Sequence, residues 1–286
     1  MIIEKGANNY TLAQLEEIER IEIDLLLEAI YRLYGYDFRK YAFPFVKRRI
    51  SHRVYKEQLT SISALQEKVL RDSEALMRLL SDFSINVTEM FRDPSFFKSI
   101  RTKVIPIIND YPEIRIWHVG CASGEEVYSM AILLQEEGLY NKCRIFATDM
   151  NKEILEKAKQ ATFPLDVMQL YTKNYLEAGG KRSFSEYYKA VDDKVVFHSF
   201  LQKNVVFAQH DVVTDQSFNE FDIIICRNVF IYFNKDLQNQ VHKLLYDSLS
   251  LSGFIGLGQR EGVRFTSYGN CYKEFEPSEK LYQKIK

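Results

Sequence analysis

From about residue 112 to the end, the chain runs as short apolar stretches separated by amphipathic ones: IRIWHV, CRIFAT, NVVFA, FDIIIC, FIGLG and KLYQKI. Strands alternating with helices mean an open α/β sheet. About the first 83 residues read differently. Ile23, Leu26, Ile30 and Leu33 step by three and four, and LEEIERIEIDLLLEAIYRLYG closes on Gly35, a helix stop. The pattern predicts a small all-helical domain over 1–83 and an α/β domain over 84–286. The stretch from about 177 to 203 breaks the alternation, with a Gly-Gly turn, a Tyr-Tyr pair and an Asp-Asp turn before VVFHSF. It reads as a small antiparallel β insertion.

Composition narrows the function. A chain of 286 residues with 46% hydrophobic residues can bury one good core and a smaller second one. Thirty-eight Lys+Arg against 39 Asp+Glu leave a formal charge of -1, so bulk electrostatics argue against a nucleic-acid or membrane binder. The N-terminal MIIEKGANNY lacks a signal pattern, and no apolar run approaches the roughly 18 residues of a spanning helix. A cytoplasmic protein without membrane insertion is expected. Cys121, Cys143, Cys226 and Cys271 show no CxxC and no paired His, so no metal site is expected and the thiols read as buried small residues.

The chemistry begins at HVGCASGEEVYSM, residues 118 to 130. In an open α/β sheet the turn after the first strand approaches the ligand, and Gly120 and Gly124 permit that approach. A pyrophosphate would suit the helix N-terminus, but Glu125 and Glu126 would each oppose it by about 1 kcal/mol even at water-like dielectric. A cationic ligand fits better. S-adenosylmethionine carries a sulfonium and an ammonium, and its ribose hydroxyls want an acceptor at the end of the second strand. Asp149 in IFATD supplies one, 25 positions after Gly124 (149 − 124), near the spacing of about 20 for a ribose-binding acid. The alternatives are that the glutamates merely favour a helix N-terminus and that Asp149 caps the next helix, a role for which Asn151 already stands.

Two further stretches carry candidates. In INVTEMFRDPSFF, Asp93-Pro94 reads as N-cap and first helical position, leaving Asn86, Thr88 and Arg92 in a loop that can fold over a ligand. Arg92 there would pair a carboxylate or stand as an exposed loop Arg. In CRNVFIYFNK, Arg227, Asn228 and Tyr232 stand at the mouth of the sheet. The Asn/Asp-Pro-Pro-aromatic clamp of amine-modifying methyltransferases is absent there, which disfavours a nucleic-acid substrate. Cys226 has no base nearby in sequence and reads as structural.

NVTEMFRDPSFF, RIWHVGCASGEEVYSMAI, IFATDMNKEILEKAK and FDIIICRNVFIYF, in this order behind a basic helical domain, closely resemble the chemotaxis receptor methyltransferase (CheR) family. The resemblance implies a Rossmann-like sheet and methyl transfer from S-adenosylmethionine to glutamate side chains of methyl-accepting chemotaxis receptors, whose cytoplasmic helical domain would be the partner. By position, the family's cofactor contacts fall on Asn86, Thr88, Arg92, one of Glu125 and Glu126, Asp149, Asp211-Val212 and Arg227-Asn228. Arg92 and Tyr232 match the residues nearest the transferred methyl, and the β insertion matches a subdomain that in some members docks a receptor tail. The sequence departs from the family at Gly258-Gln259-Arg260-Glu261, where Gly-His-Ser-Glu is common, and at Asp211-Val212, where many members have Asn-Leu.

Substrate choice is expected in the helical domain. From Tyr36 to Lys56, seven basic residues face one acid, and Arg49, Arg53 and Lys56 lie four and seven apart on one helical face. With Arg48 they predict a basic surface for an acidic helical partner. A monomer is expected. A methyltransferase of the same fold with another protein or nucleic-acid substrate, and a non-catalytic cofactor-binding module, are the alternatives.

Overall fold

Thr11 opens the first helix with a capping box: its hydroxyl accepts from Gln14 N–H at 3.2 Å while the Gln14 side chain accepts from Thr11 N–H at 2.9 Å. The helix, α1 (Leu12–Tyr34), ends as expected at Gly35, whose φ of 82° lets its N–H close on the Tyr31 carbonyl. The structure is a computed structural model that describes residues 10–84, 88–264 and 266–286. The chain divides into two compact units between Phe83 and Ser84.

The first unit continues with α2 (Phe43–Lys56), α3 (Ile62–Arg71) and α4 (Ser73–Phe83). Ile23, Leu26 and Ile30 of α1 are fully buried with Ile50, Leu65, Val69 and Leu79, which is the core the periodicity calls for; Leu33 is instead 53% exposed.

The second unit opens with α5 (Pro94–Ser99), a π-helical turn (Ile100–Val104) and α6 (Ile105–Ile108). The sheet then builds from β1 (Ile114–Val119), α7 (Glu125–Glu136), β2 (Cys143–Asp149) and α8 (Lys152–Gln160). An excursion follows through β3 (Thr162–Pro164), α9 (Met168–Glu177), β4 (Tyr188–Val191) and β5 (Lys194–Phe197). The chain returns as β6 (Val205–Gln209), β7 (Phe221–Cys226), α10 (Lys235–Ser248), β8 (Leu249–Leu257), β9 (Tyr272–Glu276) and β10 (Leu281–Lys284).

Seven strands form one sheet in the order β6-β2-β1-β7-β8-β10-β9. The first five pair in parallel, and β10 runs antiparallel to both β8 and β9. All six apolar runs of the sequence contribute strands. The order reverses between β1 and β7, so the crevice beyond their carboxyl ends is where such a sheet receives a ligand. The core sits against the central strands, with Ile116, Ile145, Ile223, Ile225, Leu133 and Phe97 all fully buried.

The antiparallel insertion is a three-stranded sheet, β3-β5-β4. It reaches back to Thr162 rather than starting near 177, because α9 intervenes within it. Three residues ending in Pro are too few to show a strand period, and β3 exists because Phe163 is buried against Phe197 at 5.5 Å between ring centres.

Candidate active site

The turn after β1 is bent by Gly120 (φ 65°), Ala122 (φ 47°) and Gly124 (φ 93°). A side chain at Gly120 would bring its Cβ to 2.9 Å from Val229 Cγ2, so this turn lies against the loop that follows β7. Asp149 ends β2 beside it. Buried to 8% exposure, its carboxylate accepts from Ala122 N–H (3.1 Å) and Asn151 N–H (2.9 Å). Burial raises its pKa, and those two donors oppose the rise. Asn151 caps α8 through Glu153 and Ile154 N–H, which leaves Asp149 to the turn as the sequence suggests.

The two glutamates divide. Glu126 is held by His118 Nδ1 (3.1 Å) and Arg227 Nη1 (2.9 Å), and Arg227 Nη2 pairs with Asp93. Burial alone would raise the Glu126 pKa, but the His118 and Arg227 contacts outweigh it and hold it low. Glu125 meets no such cation among its described contacts. It accepts from Ser123 Oγ at 2.7 Å and from the Tyr171 hydroxyl, and burial pushes its pKa up to about 7. A buried carboxyl raised in this way is relieved by a cationic ligand.

Arg227, 7% exposed, ties the loops together. Its Nη1 also donates to the Arg92 carbonyl at 3.2 Å, and its guanidinium lies 4.3 Å from the Phe96 ring centre. Arg92 is half-buried between two residues in left-handed conformation, Phe91 (φ 52°) and Asp93 (φ 54°). Asp93 precedes Pro94 at the helix start as expected, but its side chain makes no cap and serves the ion pair with Arg227 instead. Thr88 is half-buried in the same loop, and Asn86 lies outside the described residues.

The loop after β7 carries Asn228 (φ 63°) and, at the end of a short 3-10 turn, a half-buried Tyr232. A residue that sequence reasoning left without a role organises it. Glu261 accepts from Gly258 N–H (2.6 Å), Asn228 N–H (3.0 Å) and Ile231 N–H (3.3 Å), so one carboxylate pins the loops after β7 and β8. Asp211 follows β6 and accepts from Val213 N–H at 2.9 Å; burial moves its pKa up to about 6, and Val212 beside it is half-buried. Cys226 is fully buried and its thiol pKa is pushed well up by desolvation, as a structural role requires. Cys121 and Cys143 are likewise buried, whereas Cys271 is only half-buried.

The basic stretch of the first unit separates on inspection. Arg53 is committed within the unit, donating to Asp82 Oδ2 (2.6 Å) and the Arg78 carbonyl (2.9 Å). Arg39 pairs with Asp37 and Glu28, and Lys47 with Glu19. The count of seven bases against Asp37 alone overlooks Glu19, Glu28 and Asp82, which arrive from α1 and α4. Arg48 and Lys56 are exposed on α2 and Arg49 is half-buried, so the solvent-facing basic set is smaller than the sequence implies.

Against known proteins, residues 86–275 match the family model "CheR methyltransferase, SAM binding domain", and residues 21–84 match "CheR methyltransferase, all-alpha domain". The chain belongs to the CheR methyltransferase family. It is 46% identical over 92% of its length to 97% of a "Putative methyltransferase Cher3" of Pseudomonas putida. It is 28% identical to "Chemotaxis protein methyltransferase" of Listeria innocua, covering 80% of this chain and 85% of that one. The same name and identity apply to a relative in Borreliella burgdorferi, covering 86% of this chain and 90% of that one. A CheR methyltransferase draws its methyl from S-adenosylmethionine, and a buried, cation-seeking Glu125 beside a strand-end Asp149 suits that cofactor. No described helix is long and apolar enough to cross a membrane, and no described cluster of His, Cys, Asp and Glu could hold a metal ion.

Proposed function

We propose that this CheR methyltransferase esterifies glutamate side chains on the cytoplasmic helical domain of methyl-accepting chemotaxis receptors. The observation that carries the reading is the bond from Arg227 Nη1 to the Arg92 carbonyl, which fixes the Arg92 loop at the end of β7, beside the acid-lined turn. The backbone of a cationic residue is thereby held beside a cofactor site whose own lining is acidic. That arrangement suits an anionic acceptor such as a carboxylate and disfavours an amine.

S-adenosylmethionine supplies a methyl group activated by its sulfonium. Asp149 accepts from the ribose hydroxyls, and Glu125, with Thr88, Gly120, Asp211, Val212 and Asn228, completes the cofactor surface. Glu126 and Arg227 act one step back, by holding the loops in register. A substrate glutamate is ionised at neutral pH and is itself the nucleophile. No general base is therefore required, and the chain contributes positioning and water exclusion, effects that supply several kcal/mol. Arg92 orients the substrate carboxylate, and Tyr232 orients the acceptor or shields the sulfonium. Arg48, Arg49 and Lys56 meet the acidic receptor surface, with an attraction that weakens as salt rises.

The test is transfer of radiolabelled methyl to the cytoplasmic fragment of a chemoreceptor from the same cell. Base-labile counts on the receptor support the ester. Cofactor binding without such counts would move the acceptor to another protein or reduce the chain to a binding module.

A further inference from the structure

A cleft of about 870 Å³ opens in the second unit, between the first turns of α10, the loop after β8 and the strands β9 and β10. Its size falls within the roughly 300–1,000 Å³ of small-molecule sites. Along α10 it is lined by Lys235, Gln238, Asn239 and His242, which share one helical face. Four basic residues line it, Lys235, Arg260, Arg264 and Lys280, against two acids, Glu261 and Glu274. Both acids are occupied elsewhere. Glu274 accepts from Arg264 Nε at 2.8 Å, and Glu261 is engaged by three backbone N–H groups. With Arg264 paired to Glu274, Lys235, Arg260 and Lys280 stand against the single carboxyl of Glu261, and the cleft keeps a net positive balance.

The second, independent observation is His242. It lines the cleft at 1% exposure, and its Nε2 is buried without a hydrogen-bond partner among the described residues. The ring lies 6.0 Å from Phe230 and 5.4 Å from Tyr272, and desolvation lowers its pKa to about 4, so it stays a neutral imidazole. An unsatisfied buried polar atom costs about 1–3 kcal/mol, which a ligand that bonds to it would recover. Ile231, 37% exposed, and Phe230 supply an apolar wall of the same cleft.

We propose that this cleft binds a small anionic ligand, a phosphomonoester or carboxylate on an aromatic or apolar body. Its charge sits toward Lys235, Arg260 and Lys280, and its body packs on Phe230 and Ile231 against His242. The wall is shared with the turn that carries Tyr232, since Phe230, Ile231 and Tyr232 form one short 3-10 turn. The inference is independent of which acceptor the enzyme methylates.

Phenyl phosphate is the probe, titrated into the full chain with ¹⁵N-labelled histidine. The His242 ring resonance, assigned by its loss in His242→Gln, is expected to shift saturably while those of the other histidines stay in place. Lys235→Glu with Arg260→Glu should weaken this binding roughly tenfold or more, with calorimetric binding of S-adenosylhomocysteine unchanged. Should that pair disturb cofactor binding, Lys235→Glu alone keeps the fold, since an acid is favoured at a helix N-terminus. An unmoved His242 resonance, equal affinity in the charge-reversed protein, or equal binding of neutral phenol would each overturn the proposal.

Discussion

Glu126 and Arg227 pair at 2.9 Å across the crevice, joining the helix after β1 to the loop after β7. The side chains are 17% and 2% exposed, so removing one partner strands a buried charge. Arg227→Ala should cost roughly 3–5 kcal/mol in denaturant unfolding, and the double change Glu126→Gln, Arg227→Met less than the sum of the single changes. A loss near zero for Arg227→Ala would show that the cluster does not hold the loops.

Glu125 predicts a pH dependence. A cationic cofactor binds its ionised form, and in the ligand-free protein that form is half populated near pH 7. Calorimetric affinity for S-adenosylmethionine should therefore be flat above about pH 7 and fall up to about tenfold per unit below it, with proton release on binding. Glu125→Gln should bind more weakly and lose the dependence. In the ligand-free protein the raised pKa favours the protonated carboxyl on folding: that stability is present below the ordinary value of 4.5 and is lost as pH rises through about 7. Its size is roughly 3 kcal/mol, and a Glu125→Gln stability profile should lack it.

Arg92→Ala should lower kcat on a receptor fragment roughly 100-fold, with Arg92→Lys intermediate, because a lysine keeps the charge but loses the planar fork. The Arg227 bond is to the Arg92 backbone carbonyl and survives truncation, so the loop anchor itself is retained in both variants. Normal turnover in Arg92→Ala would remove the residue from the mechanism.

Gly120→Ala combines a left-handed backbone with a Cβ at 2.9 Å from Val229 Cγ2. We expect a loss of roughly 1–3 kcal/mol in stability and a matching fall in cofactor affinity. Adding Val229→Ala should restore part of both by removing the contact, and no recovery would place the whole cost in the backbone.

On α2, Arg48→Glu with Lys56→Glu should reduce kcat/KM for the receptor, with a weaker effect at high salt and unchanged unfolding. Arg53→Glu should instead destabilise by roughly 1–3 kcal/mol, because its partner Asp82 is left half-buried opposite a like charge. Equal behaviour of the two variants would contradict this division of the basic face.

Much of the fold was open to reading from local pattern. The apolar runs of β1, β7 and β8 report burial on both faces of central strands, and the Gly35 stop reports a backbone that only φ above zero satisfies. The run of β6 is apolar although the strand stands at the sheet edge with no buried residue. β9 was not open to such reading, because YKEFE alternates with polar residues at an edge and is defined by its pairing with β10. The β3 strand was missed for the same reason, its partner lying some thirty residues on. In the site, Gly120, Gly124 and Asp149 declared themselves by strand-end spacing. Glu261 gave no signal, since its three donors belong to two separate loops.

Sequence by itself determined the helical unit, the open α/β sheet, the acid-lined turn and the charge types around it, because each follows from period, turn chemistry and residue identity within a short window. Tertiary structure decided how those charges are spent. Glu125 and Glu126 are neighbours in sequence, yet a helix turns about 100° per residue. That rotation sends Glu126 to His118 and Arg227 and leaves Glu125 buried beside Ser123. Asp93 likewise serves Arg227 rather than its own helix, and Arg53 serves Asp82 rather than a partner. Which acid meets which base depends on elements brought together from distant parts of the chain, and no local window contains both.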